Sequence, residues 1–300
     1  MQNWIYFVLI AQGIWSITSM IDKIVISKGY IKNPAVYIVL NGLMNIFLIF
    51  FLPFVGFEPL KLVDFLILLL SGILFSASVT LYYKAVQYDE ISRVSMLNQF
   101  GPIFVLGLSF LFLDEMLTIN HFIGFFLLLG AGAIISYKKI NGSFKLSKAF
   151  YYMLMSAFLG AISFVAAKHI LNVTNFWNAF VWLRISGFTA LFVLLVPSVR
   201  NNFIKTFKIM KPKIKALMFF KMTIDFSAFI FAGYALLNVP VIALMSALAA
   251  SVQPIFVFIL ALITSIYLPK LVKEEIDKKT ILTKLLAIVL IVIGIIFINL

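Results

Sequence analysis

The chain has 300 residues, 63% of them hydrophobic and 12% charged, with a formal net charge of +13. A soluble domain is about 45 to 50% apolar and about 25% charged, so these proportions exclude a soluble enzyme or a nucleic-acid-binding domain and indicate a polytopic membrane protein. The absence of cysteine excludes disulfide frameworks and thiolate metal sites.

In chain order the hydropathy pattern predicts ten apolar spans, at 3–27, 34–54, 63–86, 91–113, 118–138, 149–171, 176–197, 213–237, 241–265 and 281–299. Segments of roughly 20 residues cross a hydrocarbon core of about 30 Å at a rise of about 1.5 Å per residue. The first begins almost at Met1, without a basic n-region or a small-residue cleavage site, and is read as a retained helix. The basic loop Tyr137 to Lys148 divides the spans five and five, giving expected units at 1–140 and 141–300.

A duplication supports that division. The stretch FGPIFVLGL (Phe100 to Leu108) returns as VQPIFVFIL (Val252 to Leu260), and the same offset of 152 residues places Tyr82 on Tyr234. Loops after the odd-numbered spans hold 20 of the 24 lysines and arginines. The positive-inside rule places those loops in the cytoplasm and both termini outside. Charge follows spans 1, 3 and 5 of the first unit but the second and fourth spans of the second, so the units are expected to lie inverted in a plasma or inner cell membrane. The fold expected is therefore all-α, ten transmembrane helices in two inverted five-helix repeats, an architecture that secondary transporters use around a midplane site.

Several residues are candidates for that site. Pro102 and Pro254 each remove a backbone donor within a span, freeing the carbonyls of Asn98 and Ala250. With Asn98, Gln99, Ser251 and Gln253 they form either a kinked, polar pathway lining or a packing kink whose amides bridge helices. Lys221 and Asp225 are four residues apart on one helical face and can pair. Intramembrane ionisable groups are costly, so Asp225 reads as a proton- or cation-coupling carboxylate, the pair as a gate, or both as a structural pair near the interface. Arg184, near Trp177 and Trp182, either binds a substrate carboxylate or phosphate with its planar fork or snorkels to the interface. Trp15, Tyr82 and Tyr234 are candidate lining, with Ser16, Ser19 and Ser163 donating hydrogen bonds or letting helices approach.

Other polar residues receive plainer readings. Asp114 and Glu115 are expected at a solvated helix terminus, His121 and His169 at the interface, and the run Lys205 to Lys215 in a lipid-facing loop. The chain has no P-loop and no H-E-x-x-H or G-x-S-x-G sequence. Neither ATP drive nor enzyme chemistry is indicated, and no cofactor or metal is expected.

The segments GIWSITSMIDK (Gly13 to Lys23) and GAISFVAAK (Gly160 to Lys168) resemble the small-residue and aromatic run ending in lysine of EamA-type transporters in the drug/metabolite transporter superfamily. Arg184 resembles the arginine of a repeat's second helix, where the first repeat has Asn41. Tyr82 to Ala85 and Tyr234 to Leu237 resemble the end of the third helix, Pro102 and Pro254 the proline of the fourth. Glu115 with Gly124, Gly130 and Gly132 resembles the fifth. The second half departs there, with the charged insert Lys270 to Lys279 and only Gly294 in its last span. Family members are more often drawn with both termini in the cytoplasm, opposite to the charge count here.

The resemblance implies a secondary transporter exporting small metabolites such as amino acids by alternating access, either coupled to protons through Asp225 or driven by the substrate gradient. Expected partners are a small-molecule substrate, membrane lipids and protons, and no nucleic acid. Readings from other classes are a non-transporting membrane scaffold or assembly protein and a lipid flippase.

Overall fold

The structure, a computed structural model, describes residues 3–27, 29–31, 34–88, 97, 100–136, 148–267 and 278–300. Its α-helices are α1 (Asn3–Ser27), α2 (Pro34–Met44), α3 (Leu62–Tyr88), α4 (Phe100–Leu113), α5 (Ile119–Ser136), α6 (Lys148–Val173), α7 (Phe176–Gly187), α8 (Pro197–Ile209), α9 (Pro212–Asn238), α10 (Ile242–Tyr267) and α11 (Lys278–Asn299). Among the described residues seven stretches have the length and composition to cross a membrane: Asn3–Asp22, Val36–Phe54, Leu62–Tyr82, Lys148–Val173, Phe176–Leu195, Pro212–Asn238 and Ile242–Thr264. Phe100–Leu113, Ile119–Ile134 and Leu285–Asn299 are shorter apolar helices.

The second helix of each half tightens partway along. After Met44 the chain continues as 3-10 turns over Asn45–Phe50 and Leu52–Phe54, and after Gly187 over Phe188–Leu195. Side chains at both changeovers bond carbonyls of the preceding turn, which competes with the regular ladder. Asn45 Nδ2 donates to the carbonyls of Asn41 (3.3 Å) and Gly42 (3.1 Å), and Thr189 Oγ1 to that of Ser186 (2.7 Å). The two changeovers also pack together: a Cβ on Gly187 would lie 2.5 Å from Asn45 Nδ2, and one on Gly42 2.7 Å from a Leu191 methyl.

The charged run expected as a loop is in part helical. Pro197 starts α8 from an extended Val196, an extended Met210 ends it, and Pro212 starts α9 from an extended Lys211. Phe203 packs on the cluster containing Ile31, Tyr37, Leu40 and Met218, while Arg200, Lys205 and Lys208 stay exposed. Lys205 to Lys208 thus lie on an amphipathic surface helix, which explains how such a basic segment keeps a fixed place.

Packing between the halves is reciprocal. α1 packs on α9 and α10, the third and fourth long helices of the second half, and α6 packs on α3 and α4, their counterparts in the first. α4 touches α10, and α5 lies along α11. Phe7 stacks near Tyr234, Trp15 meets Phe229, and Asp22 meets Lys221, so α1 and α9 run antiparallel. Between α3 and α6, Ser71 and Ser163 exchange hydroxyl-to-carbonyl bonds (3.4 and 2.9 Å), and two turns away Ser78 and Ser156 do the same (both 2.8 Å). Small hydroxyl residues let the backbones approach and satisfy one another, at about 0.6 kcal/mol per interhelical bond in a bilayer.

The α5–α11 contact depends on glycine. A Cβ on Gly124 would stand 2.8 Å from the Gly294 carbonyl oxygen and 2.6 Å from Ile298, whereas one on Gly130 meets nothing within 4 Å. Gly124→Ala should therefore lower stability by about 1–3 kcal/mol through overpacking, read as a lower thermal midpoint in detergent. Gly130→Ala should leave the midpoint unchanged or raise it. Equal effects from the two would contradict this account of the crossing.

Candidate functional site

Trp15 is the middle residue of α1, and its ring meets Phe229 of α9 edge-on at 5.3 Å between centroids. On the same Phe229 lies Arg184 from α7, its guanidinium 3.9 Å from the ring centroid and 5.7 Å from that of Phe180. Three helices thus converge on one aromatic ring. Cation–π contact contributes on the order of 2 kcal/mol when desolvated, but a ring leaves the guanidinium's hydrogen-bonding capacity unused. Arg184 Nε is buried without a partner, and the side chain forms no ion pair with a described residue. The sequence reading singled out Trp15 and Arg184 separately, and Phe229 is what joins them.

The adjoining face of α1 meets α10. Gln12 and Ser16 are one turn apart and buried. Ser16 Oγ donates to the Gln12 carbonyl (2.7 Å) and reaches the Gln253 carbonyl (3.4 Å), next to Pro254. Gln12 Oε1 is a buried acceptor without a partner. Sequence reasoning missed Gln12, whose signal was a lone amide in the centre of an apolar span. Ser251 is fully buried, but its hydroxyl turns back to the carbonyls of Ala247 and Leu248 on its own helix. Ser19 likewise bonds the Trp15 carbonyl at 2.7 Å. Pro102 is buried in α4 and Pro254 is inside α10; Asn98 and Gln99 lie outside the described residues.

About two turns along α1 from Trp15 is a charge triad. Lys221 Nζ stands 2.6 Å from Asp225 Oδ2 and 3.5 Å from Asp22 Oδ2. The expected Lys221–Asp225 pair forms, and α1 adds a third member. Asp22 was visible in Gly13 to Lys23 but sat beside Lys23 near a span end, where a charge reads as interfacial.

The two repeated tyrosines do not share a site. Tyr234 stacks on Phe176 at 3.9 Å, near Phe7 and Trp177. Tyr82 packs with Ala85, Ala149, Met153 and Tyr152 where α3 meets the start of α6.

One end of the bundle is tied by polar contacts. Lys168, buried at the end of α6, donates to the carbonyls of Leu236 (2.7 Å), Leu237 (3.4 Å) and Val239 (3.3 Å), closing the C-terminus of α9. Glu115 accepts from the Ile242 amide at 2.8 Å, capping α10. It is half-buried rather than at a freely solvated terminus, and burial, opposed by that amide and by Lys168, raises its carboxyl above the ordinary value. His169 bonds Asp64 at 2.8 Å, and Asn178 accepts from the Glu58 amide at 3.0 Å.

These partners predict opposite outcomes for two cations. Lys168→Met should cost about 2 kcal/mol because buried carbonyls lose a charged donor, lowering the thermal midpoint in detergent. Arg184→Met should leave the midpoint unchanged or raise it, since a buried charge without a counterion is removed. A large fall for Arg184→Met would make that residue structural.

Residues 2–137 match the model of the EamA-like transporter family. No curated protein matches in sequence, but 28 chains of solved structures do in fold. One, described only as "Crystal structure of protein", is 15% identical with a TM-score of 0.70, covering 100% of this chain and 99% of its own, which shows a shared fold. Over residues 2–137 the chain is thus similar to the EamA-like transporter family, and its long apolar helices mark it as a multi-pass membrane protein.

Proposed function

We propose that this protein is a ten-span secondary transporter, built as inverted repeats at 1–140 and 141–300, that exports small carboxylate-bearing metabolites such as amino acids by alternating access. The observation that carries the reading is Arg184. A guanidinium held over Phe229 at the depth of the middle of α1, with Nε unpaired, is poised for a planar anion. Trp15 and Phe229 supply the apolar surface that a metabolite side chain would meet, and Gln12 an unused acceptor for its amine.

The reciprocal packing and the antiparallel course of α1 against α9 and α3 against α6 support the inverted arrangement. The cycle would rock the halves about these seams. The cycle would open the end tied by Lys168, Glu115 and His169–Asp64. Coupling to protons would run through the Asp225 cluster. Loops after odd-numbered spans are taken as cytoplasmic, so a reporter active only outside the cytoplasm should work when fused at Leu300; activity of a cytoplasm-only reporter there would reverse the orientation.

A lipid-moving reading draws on a groove of about 380 Å³ between the 3-10 stretch after α2 and α9, lined by Phe47, Phe50, Phe51, Phe219 and Phe226. One experiment separates the two. In proteoliposomes loaded with an amino-acid panel, carboxylate-bearing solutes should leave faster than from protein-free vesicles, and the matching decarboxylated amines should stay. Arg184→Met should slow the efflux by about tenfold or more, the loss of a charge-assisted bond. Equal efflux of the amines, or movement of fluorescent phospholipid alone, would overturn the metabolite reading.

A further inference from the structure

The triad joins two helices from different halves of the chain and carries an odd charge. Asp22 and Asp225 share one ammonium, Lys221, so when all three are ionised the cluster holds one negative charge in excess. The excess falls on Asp22. Lys221 is in close hydrogen-bonded contact with Asp225 (2.6 Å) and 3.5 Å from Asp22, whose Oδ1 is buried without a partner. Asp225 keeps only 9% of its side chain open against 27% for Asp22, so exchange with water is easier at Asp22. Among the described residues the charged groups beside Asp22 are Lys221 and Asp225 from α9, with the phenols of Tyr37 from α2 and Tyr82 from α3 within electrostatic range. None of these adds a second cation.

We propose that Asp22 is the proton-binding carboxylate of this protein and that its protonation releases the ionic tie between α1 and α9. A proton from water forms an O–H bond on the Asp22 carboxylate, and the cluster passes from one net negative charge to neutral. Lys221 then remains with Asp225, and the α1–α9 contact is left with its apolar packing, Ile21 and Val25 against Met218, Phe7 with Tyr234 and Trp15 with Phe229. Loss of the proton restores the bridge. That this switch drives a transport cycle rests on the transporter reading above; the proton site does not.

Infrared difference spectra of the protein in lipid vesicles, taken between alkaline and acid buffer, test the site without a substrate. The wild type should show one more protonated-carboxyl band than Asp22→Asn, and Asp225→Asn, which leaves Lys221 to Asp22 alone, should keep that band but need more acid buffer to show it. Asp22→Glu should restore it at a shifted frequency, which separates loss of the proton from misfolding of the asparagine variant. A spectrum of folded Asp22→Asn identical to wild type, or a band lost only in Asp225→Asn, overturns the assignment. Either result leaves the efflux experiment, and the transporter reading, untouched.

Discussion

A hydrocarbon core offers no water, so each polar group within it must be satisfied by the protein itself or left at a cost of several kcal/mol. Most of this bundle follows from that constraint. Ser71 and Ser78 exchange bonds with Ser163 and Ser156, Asn45 and Thr189 turn back on their own helices, and Lys168 closes the end of α9. Among the described residues, buried side-chain atoms left without a partner include Nε of Arg184, Oε1 of Gln12, Oδ1 of Asp22 and Oδ1 of Asn45.

The same contacts that satisfy the backbone also set how the halves can move. Each half's first helix is held by the third and fourth long helices of the other, so neither half makes its seams alone. The α3–α6 seam uses hydroxyls and small residues, while α1–α9 uses rings and a salt bridge. Hydroxyl pairs between close backbones resist sliding; rings and a single ion pair tolerate it. The α1–α9 seam is the one that touches both Arg184's aromatic platform and the charge triad.

Much of the fold was legible in the sequence because hydropathy and charge are one-dimensional signals. A long apolar run becomes a helix wherever it packs. The Lys221–Asp225 pair was readable for the same reason, since spacing of four fixes a shared face. What escaped needed contacts across the fold. Asp22 lies about 200 residues from Lys221 in sequence, and no local pattern announces such a meeting. Lys168 read only as the lysine that ends the run from Gly160 until the end of α9 arrived beside it, and Glu115 looked solvated until α10 did. Helical turns in the basic run up to Lys208 were hidden because charge masks the weak apolar stripe through Phe203. Tyr82 and Tyr234 gave the reverse lesson: duplication placed them at matching positions, yet each is used in its own packing cluster.

The central claim is that an anionic group of the substrate completes Arg184. Comparative metabolomics of cells and medium, with wild-type protein and with Arg184→Met at equal membrane abundance, tests it most directly. The account predicts that a carboxylate- or phosphate-bearing compound shifts between cell and medium with the wild type and returns to the level of protein-free cells with the variant. A compound lacking any anionic group, moved equally by both proteins, would contradict it.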